Sequence, residues 1–202
     1  VQDLIGEPFR LVLSAEDTSF HGMGREDIDV RCLGRGRPFV LEVKRPKVRH
    51  TDLEEVMQAV NSNAVDKIEI SDLRWTNRSE VSRVKETRAE KSYTIRFSVE
   101  ELPEESVIVE SISNLSGVTL EQQTPKRVSH RRADKKRTRK VVSIENIVVE
   151  SEEVQFSVRC EAGTYVKELV HSDEGRTVPS VAEVLGSPCE VIWLDVEDIH
   201  AD

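Results

Sequence analysis

The chain has 202 residues, of which 37% are hydrophobic and 33% are charged, and its formal net charge at pH 7 is −9. A chain of this length buries a core as one domain or a little more, and no apolar run is long enough for a membrane-spanning helix. The three cysteines form no CxxC motif and no cluster with histidine. This pattern disfavours a zinc site and indicates a reducing compartment, so we expect a cytoplasmic protein.

The predicted elements alternate irregularly between strands and helices. Strands are predicted where apolar and polar residues alternate, and helices where apolar residues recur every three or four positions. In chain order, the predicted elements are a strand at 38–44, a helix that begins at the N-cap Thr51 with Glu54 in a capping box, a strand at 67–71, a charged helix at 79–91, a strand at 92–99, a helix at 103–114, two strands at 141–149 and 153–160, a helix at 165–171, a short helix marked by Val181, Val184 and Leu185, and a strand at 188–196.

This order of elements predicts an α+β fold with a mixed, largely antiparallel sheet and flanking helices. A doubly wound parallel sheet is disfavoured, because the two strands at 141–160 are joined by a short turn and form a hairpin. The segment Gly34-Arg35-Gly36 is too short to be a nucleotide-binding fingerprint.

An unusually charged segment runs from Gly24 to Arg31. Its two aspartates, Asp27 and Asp29, lie between Arg25 and Arg31. Fixed positive charge beside a carboxylate keeps the acid ionised, as nucleophilic chemistry requires. The alternative is a solvated turn in which these charges simply pair with one another.

Positive charge is concentrated at 125–140, which we call the basic strip. It contains nine lysines and arginines against a single acid, Asp134, so that the rest of the chain is strongly acidic. A strip of this kind is suited to binding RNA phosphates. The alternative is a mobile, solvated loop or tail.

The block from His21 to Phe39 resembles the active-site segment of the Pus-ten family, the tRNA pseudouridine synthases that act at T-loop positions 54 and 55. Four later segments resemble blocks of the same family in the same order, and they are 91–93, 123–134, 162–171 and 191–196. The resemblance therefore implies a pseudouridine synthase fold and an isomerase that converts uridine to pseudouridine in tRNA. It also implies that no cofactor or metal is needed.

The resemblance assigns roles within the charged segment. Asp27 would be the catalytic carboxylate, acting either as a nucleophile or by abstracting a proton, and Arg25 would contact the substrate. Asp29 is the rival for the catalytic role, although we expect it to pair with Arg31 or to cap the backbone.

The later segments would supply the substrate pocket. Tyr93 would stack on the target base, Tyr165 would contact the substrate, Lys167 would pair with Asp27, and Leu194 would line the uridine pocket. Without the resemblance, Tyr93 and Leu194 would be interpreted as core residues and Lys167 as a surface lysine.

The basic strip would clamp RNA phosphates through Lys126, Arg127, Arg131 and Arg132. We expect tRNA as the partner, with no membrane and no obligate protein partner. The resemblance also implies that 1–202 form the C-terminal part of a catalytic domain, without the N-terminal RNA-binding domain of the family. Two other functions stay open, namely an RNA-binding fragment without activity of its own and an interaction domain for an acidic partner.

Overall fold

The computed structural model describes residues 1–130 and 132–201. In chain order, the elements are α1 (Gln2–Val12), β1 (Asp17–Gly22), β2 (Arg31–Cys32), β3 (Phe39–Lys44), α2 (Leu53–Asn63), α3 (Ser79–Glu86), β4 (Glu90–Val99), α4 (Glu105–Ser113), β5 (Thr119–Gln123), a short 3₁₀ helix (Lys126–Val128), β6 (Lys136–Glu150), β7 (Glu153–Cys160), α5 (Val166–His171), β8 (Thr177–Val178), α6 (Val181–Leu185) and β9 (Cys189–His200). None of the helices described is long and apolar enough to cross a lipid bilayer.

The chain divides into two compact units. Unit 1 consists of Val1–Arg25 and Pro38–Thr87, and unit 2 consists of Glu26–Arg37 and Arg88–Asp202. In unit 1, β1 and β3 form an antiparallel pair, and α1 and α2 contribute most of the buried core cluster. The core residues of unit 1 are Ile5, Phe9, Leu13, Val56, Val60 and Ile70.

Unit 1 differs from the sequence prediction at two points. The N-cap of α2 is Asp52 and not Thr51, because an Asp52 oxygen accepts hydrogen bonds from the N–H groups of Glu54 and Glu55 at 2.9 and 3.4 Å. The strand predicted at 67–71 is wrong. The Asn61 side chain bonds both the N–H and the carbonyl of Ile70, at 2.8 and 2.9 Å, and so takes the place of a neighbouring strand.

Unit 2 contains a seven-stranded sheet in the order β2-β9-β4-β7-β6-β5-β8. All neighbours are antiparallel except β2 and β9, which run parallel. Along β4, burial alternates as the sequence predicts, with Tyr93, Ile95, Phe97 and Val99 inside. The rings of Phe97 on β4 and Phe156 on β7 are in edge contact, with centroids 5.7 Å apart. This contact packs the neighbouring strands β4 and β7 against each other.

Several predicted boundaries shift because long-range pairing extends the strands. The helix predicted at 79–91 ends at Glu86, and β4 begins at Glu90. The last strand continues to His200. The end of the basic strip is not a loop, since Lys136–Lys140 belong to β6 and pair with β5.

Candidate active site

The charged segment enters unit 2 through a turn and a short strand. The turn is closed by a hydrogen bond from the Val30 N–H to the Asp27 carbonyl at 3.2 Å. Strand β2 then pairs with β9, and the Arg31 guanidinium binds the buried Asp195 carboxylate, with an Nε–Oδ1 distance of 2.9 Å. Asp27 and Asp29 are therefore presented by a turn that the sheet anchors on its C-terminal side.

Asp27 is held by an arginine of the basic strip. Arg127 Nη1 lies 2.6 Å from Asp27 Oδ2, and Arg127 Nε lies 2.6 Å from Glu168 Oε1. A further bond joins Arg127 Nη2 to Glu168 Oε2 at 3.2 Å. The Glu168 side chain is 1% exposed, whereas those of Arg127 and Asp27 are 36% and 27% exposed. A buried carboxylate thus fixes the cation that holds the accessible one.

The charges around Arg127 also set its protonation. Burial opposes the charge, but the hydrogen bonds and charges of Glu168 and Asp27 outweigh burial and raise the pKa of the Arg127 guanidinium overall. Arg127 is therefore a permanent positive charge beside Asp27.

Asp29 is held by a different cation. Lys167 Nζ lies 2.6 Å from Asp29 Oδ2, with the Asp29 side chain 62% exposed and that of Lys167 17% exposed. The hydrogen bond from Lys167 lowers the pKa of the Asp29 carboxyl. The predicted pairings of Lys167 with Asp27 and of Asp29 with Arg31 are therefore wrong. Lys167 still lies next to Glu168 in α5, so both carboxylate–cation pairs belong to one cluster.

The start of α5 is positioned by a buried glutamine that the sequence analysis missed. Gln122 on β5 is fully buried, its Oε1 accepts from the Tyr165 N–H, and its Nε2 donates to the Tyr165 carbonyl, both at 2.9 Å. Gly163 has a φ of +81°, which suits glycine and turns the chain into this helix. These contacts place Lys167 and Glu168 on the first turn of α5. The only sequence signal for Gln122 was a polar residue at a position that faces inward with Leu120.

Tyr93 is buried on β4, beside a second ion pair that the sequence did not reveal. Its side chain is 4% exposed, and burial, with the charge of Glu26, raises its pKa so that the hydroxyl stays neutral. Glu26 forms an ion pair with Lys91, which is 7% exposed and faces the same side of β4. Since Glu26 precedes Asp27, this pair fixes the charged segment on its N-terminal side. The stacking role of Tyr93 stays a prediction.

The other predicted substrate residues lie in different surroundings. Arg132 Nη1 donates to the Tyr165 hydroxyl at 3.2 Å, which joins the basic strip to the segment 162–171. Leu194 is 5% exposed on β9, next to Asp195. Arg25 is exposed and belongs to unit 1. The substrate roles of these residues stay predictions.

The basic strip is partly neutralised by acids. Lys126 forms an ion pair with Glu174, and its N–H donates to Asp173 at 2.9 Å. Lys136 lies 2.6 Å from Glu121. Arg131 lies outside the described residues. The predicted phosphate contacts of the strip remain predictions, and Arg127 has in addition a structural place beside Asp27.

Besides the buried Glu168, the cluster supplies two more accessible carboxylates, Asp27 and Asp29, each within hydrogen-bonding distance of a cation. A carboxylate in such a place can serve as nucleophile or base. In the part of the chain that the structure describes, no three His, Cys, Asp or Glu side chains are grouped to hold a metal ion.

Comparisons with known protein sequences cover the whole of this chain. The family model described as "Pus10, C-terminal" matches residues 1–200. The "tRNA pseudouridine synthase Pus10" of Methanothrix thermoacetophila is 48% identical over 98% of this chain and 44% of its own length. The protein of the same name in Thermofilum pendens is 41% identical over 99% of this chain and 46% of its own length. This chain thus spans about half the length of these relatives.

Solved structures show a similar fold at low sequence identity. A chain of "Crystal Structure of a Cbf5-Nop10-Gar1 Complex" matches with a TM-score of 0.57 and 21% identity, over 95% of this chain and 43% of that chain. A chain of "Structure of H/ACA RNP bound to a substrate RNA containing 2'-deoxyuridine" matches with a TM-score of 0.51 and 19% identity, over 95% of this chain and 41% of that chain. With the mixed sheet and flanking helices of unit 2, these matches confirm the predicted fold class.

Proposed function

Because this chain belongs to the family of the Pus10 C-terminal region, we propose that it carries the catalytic centre of a tRNA pseudouridine synthase. The family match confirms the resemblance found in the sequence, and the activity of this chain is our inference. The observation that supports it is the Asp27 carboxylate, accessible to solvent and held by an arginine that the buried Glu168 fixes in place.

Pseudouridine formation breaks the bond between N1 of the uracil and C1′ of the ribose, and makes a bond between C5 and C1′. The proton on C5 is lost and N1 gains one, so the nucleotide is isomerised without oxidation or reduction. We assign Asp27 to this chemistry, either as the nucleophile or as the group that abstracts a proton from the nucleotide. Arg127 places a positive charge 2.6 Å from Asp27 and orients its carboxylate for either role.

The target uridine must leave the base stack to reach Asp27, as in other enzymes that act on a base. We assign Tyr93, Tyr165 and Leu194 to the pocket that receives the base. Arg25 and the exposed cations of the basic strip would bind phosphates of the RNA. The substrate that we propose is the T-loop of tRNA, with uridines 54 and 55 as the candidate positions.

The test is tritium release from an unmodified tRNA transcript that carries [5-³H]uridine. The protein should release tritium, and Asp27→Asn should lower the rate by at least about 10⁴-fold, the scale of losing a catalytic nucleophile. Asp29→Asn is the matched control, with the same chemical change two residues away, and it should retain most of the activity. Loss of turnover in Asp29→Asn but not in Asp27→Asn would transfer the catalytic role to Asp29.

A second candidate function is tRNA binding without catalysis, which the concentration of lysines and arginines in the basic strip favours. In that case the chain binds tRNA without forming product by itself. Retained tRNA binding with no tritium release, in the same assay, would support this alternative and contradict independent activity.

A further inference from the structure

Unit 1 contains a half-exposed tryptophan. Trp75 is 52% exposed, although a tryptophan side chain is largely buried in most proteins. It is one of two tryptophans in the chain. About half of the Trp75 surface is therefore accessible to a ligand.

The segment that carries Trp75 is anchored at both ends. Asn61 bonds Ile70 on one side, as described above. On the other side, Asn77 Oδ1 accepts from the Ser79 N–H at 2.9 Å at the start of α3, and Arg74 lies 3.0 Å from Glu80. Trp75 is therefore presented by a fixed segment.

The segment 47–50, which carries Lys47 and Arg49, contacts Trp75 through the His50 ring. The two rings are in edge contact, with centroids 6.0 Å apart and planes at 75°. The segment 47–50 is itself fixed, because the N–H groups of Lys47 and Val48 both donate to the Leu13 carbonyl, at 3.1 and 3.0 Å. Lys47, Arg49 and His50 are all exposed.

The charges of this segment are available to a ligand. Over residues 1–130 and 132–201, the structure shows no ion pair or hydrogen bond from the side chains of Lys47 and Arg49. This differs from the neighbouring Lys44 and Arg45, which pair with Asp17 and Glu16 at 2.8 and 2.7 Å. We define the Trp75 patch as Lys47, Arg49, His50 and Trp75.

We propose that the Trp75 patch is a second RNA-binding surface, at which Trp75 stacks on an unpaired base while Lys47 and Arg49 bind the adjacent phosphates. An aromatic face beside unpaired cations is the arrangement by which proteins hold single-stranded RNA with little sequence preference. Phosphates alone would need only the cations, so the exposed indole favours a ligand that also has bases. The identification of this RNA as the tRNA substrate rests on the function proposed above.

The direct test uses Trp193→Phe, in which Trp75 is the sole tryptophan. Single-stranded oligouridylate and an unmodified tRNA transcript should both quench its fluorescence, and added salt should reverse the quenching. Trp75→Ala should weaken oligouridylate binding by about 5- to 150-fold, the range for losing one stacked base, while Trp75→Phe should retain most of it. Heparin, a polyanion without bases, should bind without the same quenching.

The cations are tested by the salt dependence of tRNA binding. Lys47→Ala with Arg49→Ala should reduce the slope of log K against log salt by about 1.5, because two phosphate contacts are lost. Lys67→Ala with Lys85→Ala removes the same charge elsewhere in unit 1 and should leave the slope unchanged. An unchanged slope in the first variant, or equal quenching by heparin, would overturn the proposal.

The proposal and the isomerase function can fail separately. Tritium release without any change in Trp75 fluorescence would overturn this inference and leave the proposed function intact. Quenching by tRNA with no tritium release would support the Trp75 patch and count against the proposed function.

Discussion

Asp27 and Asp29 lie two residues apart in one turn, yet the cations that hold them are supported differently. Arg127 binds Asp27 and is itself fixed by the buried Glu168. Lys167 binds Asp29 at the same 2.6 Å distance, but the structure shows no second carboxylate on Lys167 within the described ranges 1–130 and 132–201. Breaking an ion pair that includes a buried carboxylate strongly destabilises the fold, whereas an ion pair at the surface contributes little to stability.

The largest expected effect on stability comes from the arginine. Arg127→Gln leaves Glu168 buried without a compensating charge and should lower the free energy of unfolding by about 3–5 kcal/mol. Lys167→Gln, the matched change at the other pair, should cost less than about 1 kcal/mol because Asp29 is mostly exposed. Urea denaturation followed by circular dichroism measures both. Equal losses would mean that burial of Glu168 does not distinguish the two pairs.

A double replacement would separate the stability of the Asp27 site from its chemistry. Arg127→Met with Glu168→Met removes the buried carboxylate together with its cation and should recover most of the stability that Arg127→Gln loses, since apolar residues of similar volume often replace such a pair without cost. Turnover should stay low, because Asp27 then has no cation. Unfolding and tritium release, measured on the same preparation, test this. Recovery of both properties would show that Asp27 does not need Arg127.

The smallest expected effect is the pH dependence of the Asp29 pair. The pKa of Asp29 is lower in the folded protein than in the unfolded chain. The pair therefore stabilises the fold above the unfolded pKa of about 3.9, and this contribution is lost as the pH falls through the folded pKa. The free energy of unfolding of the wild type should exceed that of Lys167→Met by less than about 1 kcal/mol at pH 7. This difference should vanish in acid, as urea denaturation at several pH values would show. A difference that grows on acidification would contradict this sign.

Local patterns in the sequence predicted much of unit 2. The alternation at 93–99 predicted which face of β4 is buried, and the strands β6 and β7 were predicted around their turn. A short helix was predicted from Val181, Val184 and Leu185, and the structure has a helix at Val181–Leu185. These elements depend on periodicity over a few residues, which the sequence displays directly. The alternating pattern at 67–71 predicted a strand wrongly, because the Asn61 side chain takes the place of a strand partner at Ile70.

The sequence by itself determined the family, the fold class and the residue types of the candidate site. Only the tertiary structure decided which cation holds which carboxylate, because Asp27 and Arg127 lie 100 positions apart and no local pattern encodes their contact. The same holds for Glu168, to which the sequence assigned no role and whose side chain is 1% exposed in the fold. Charge pairing over such separations depends on how strands and helices pack, and packing is a property of the whole unit.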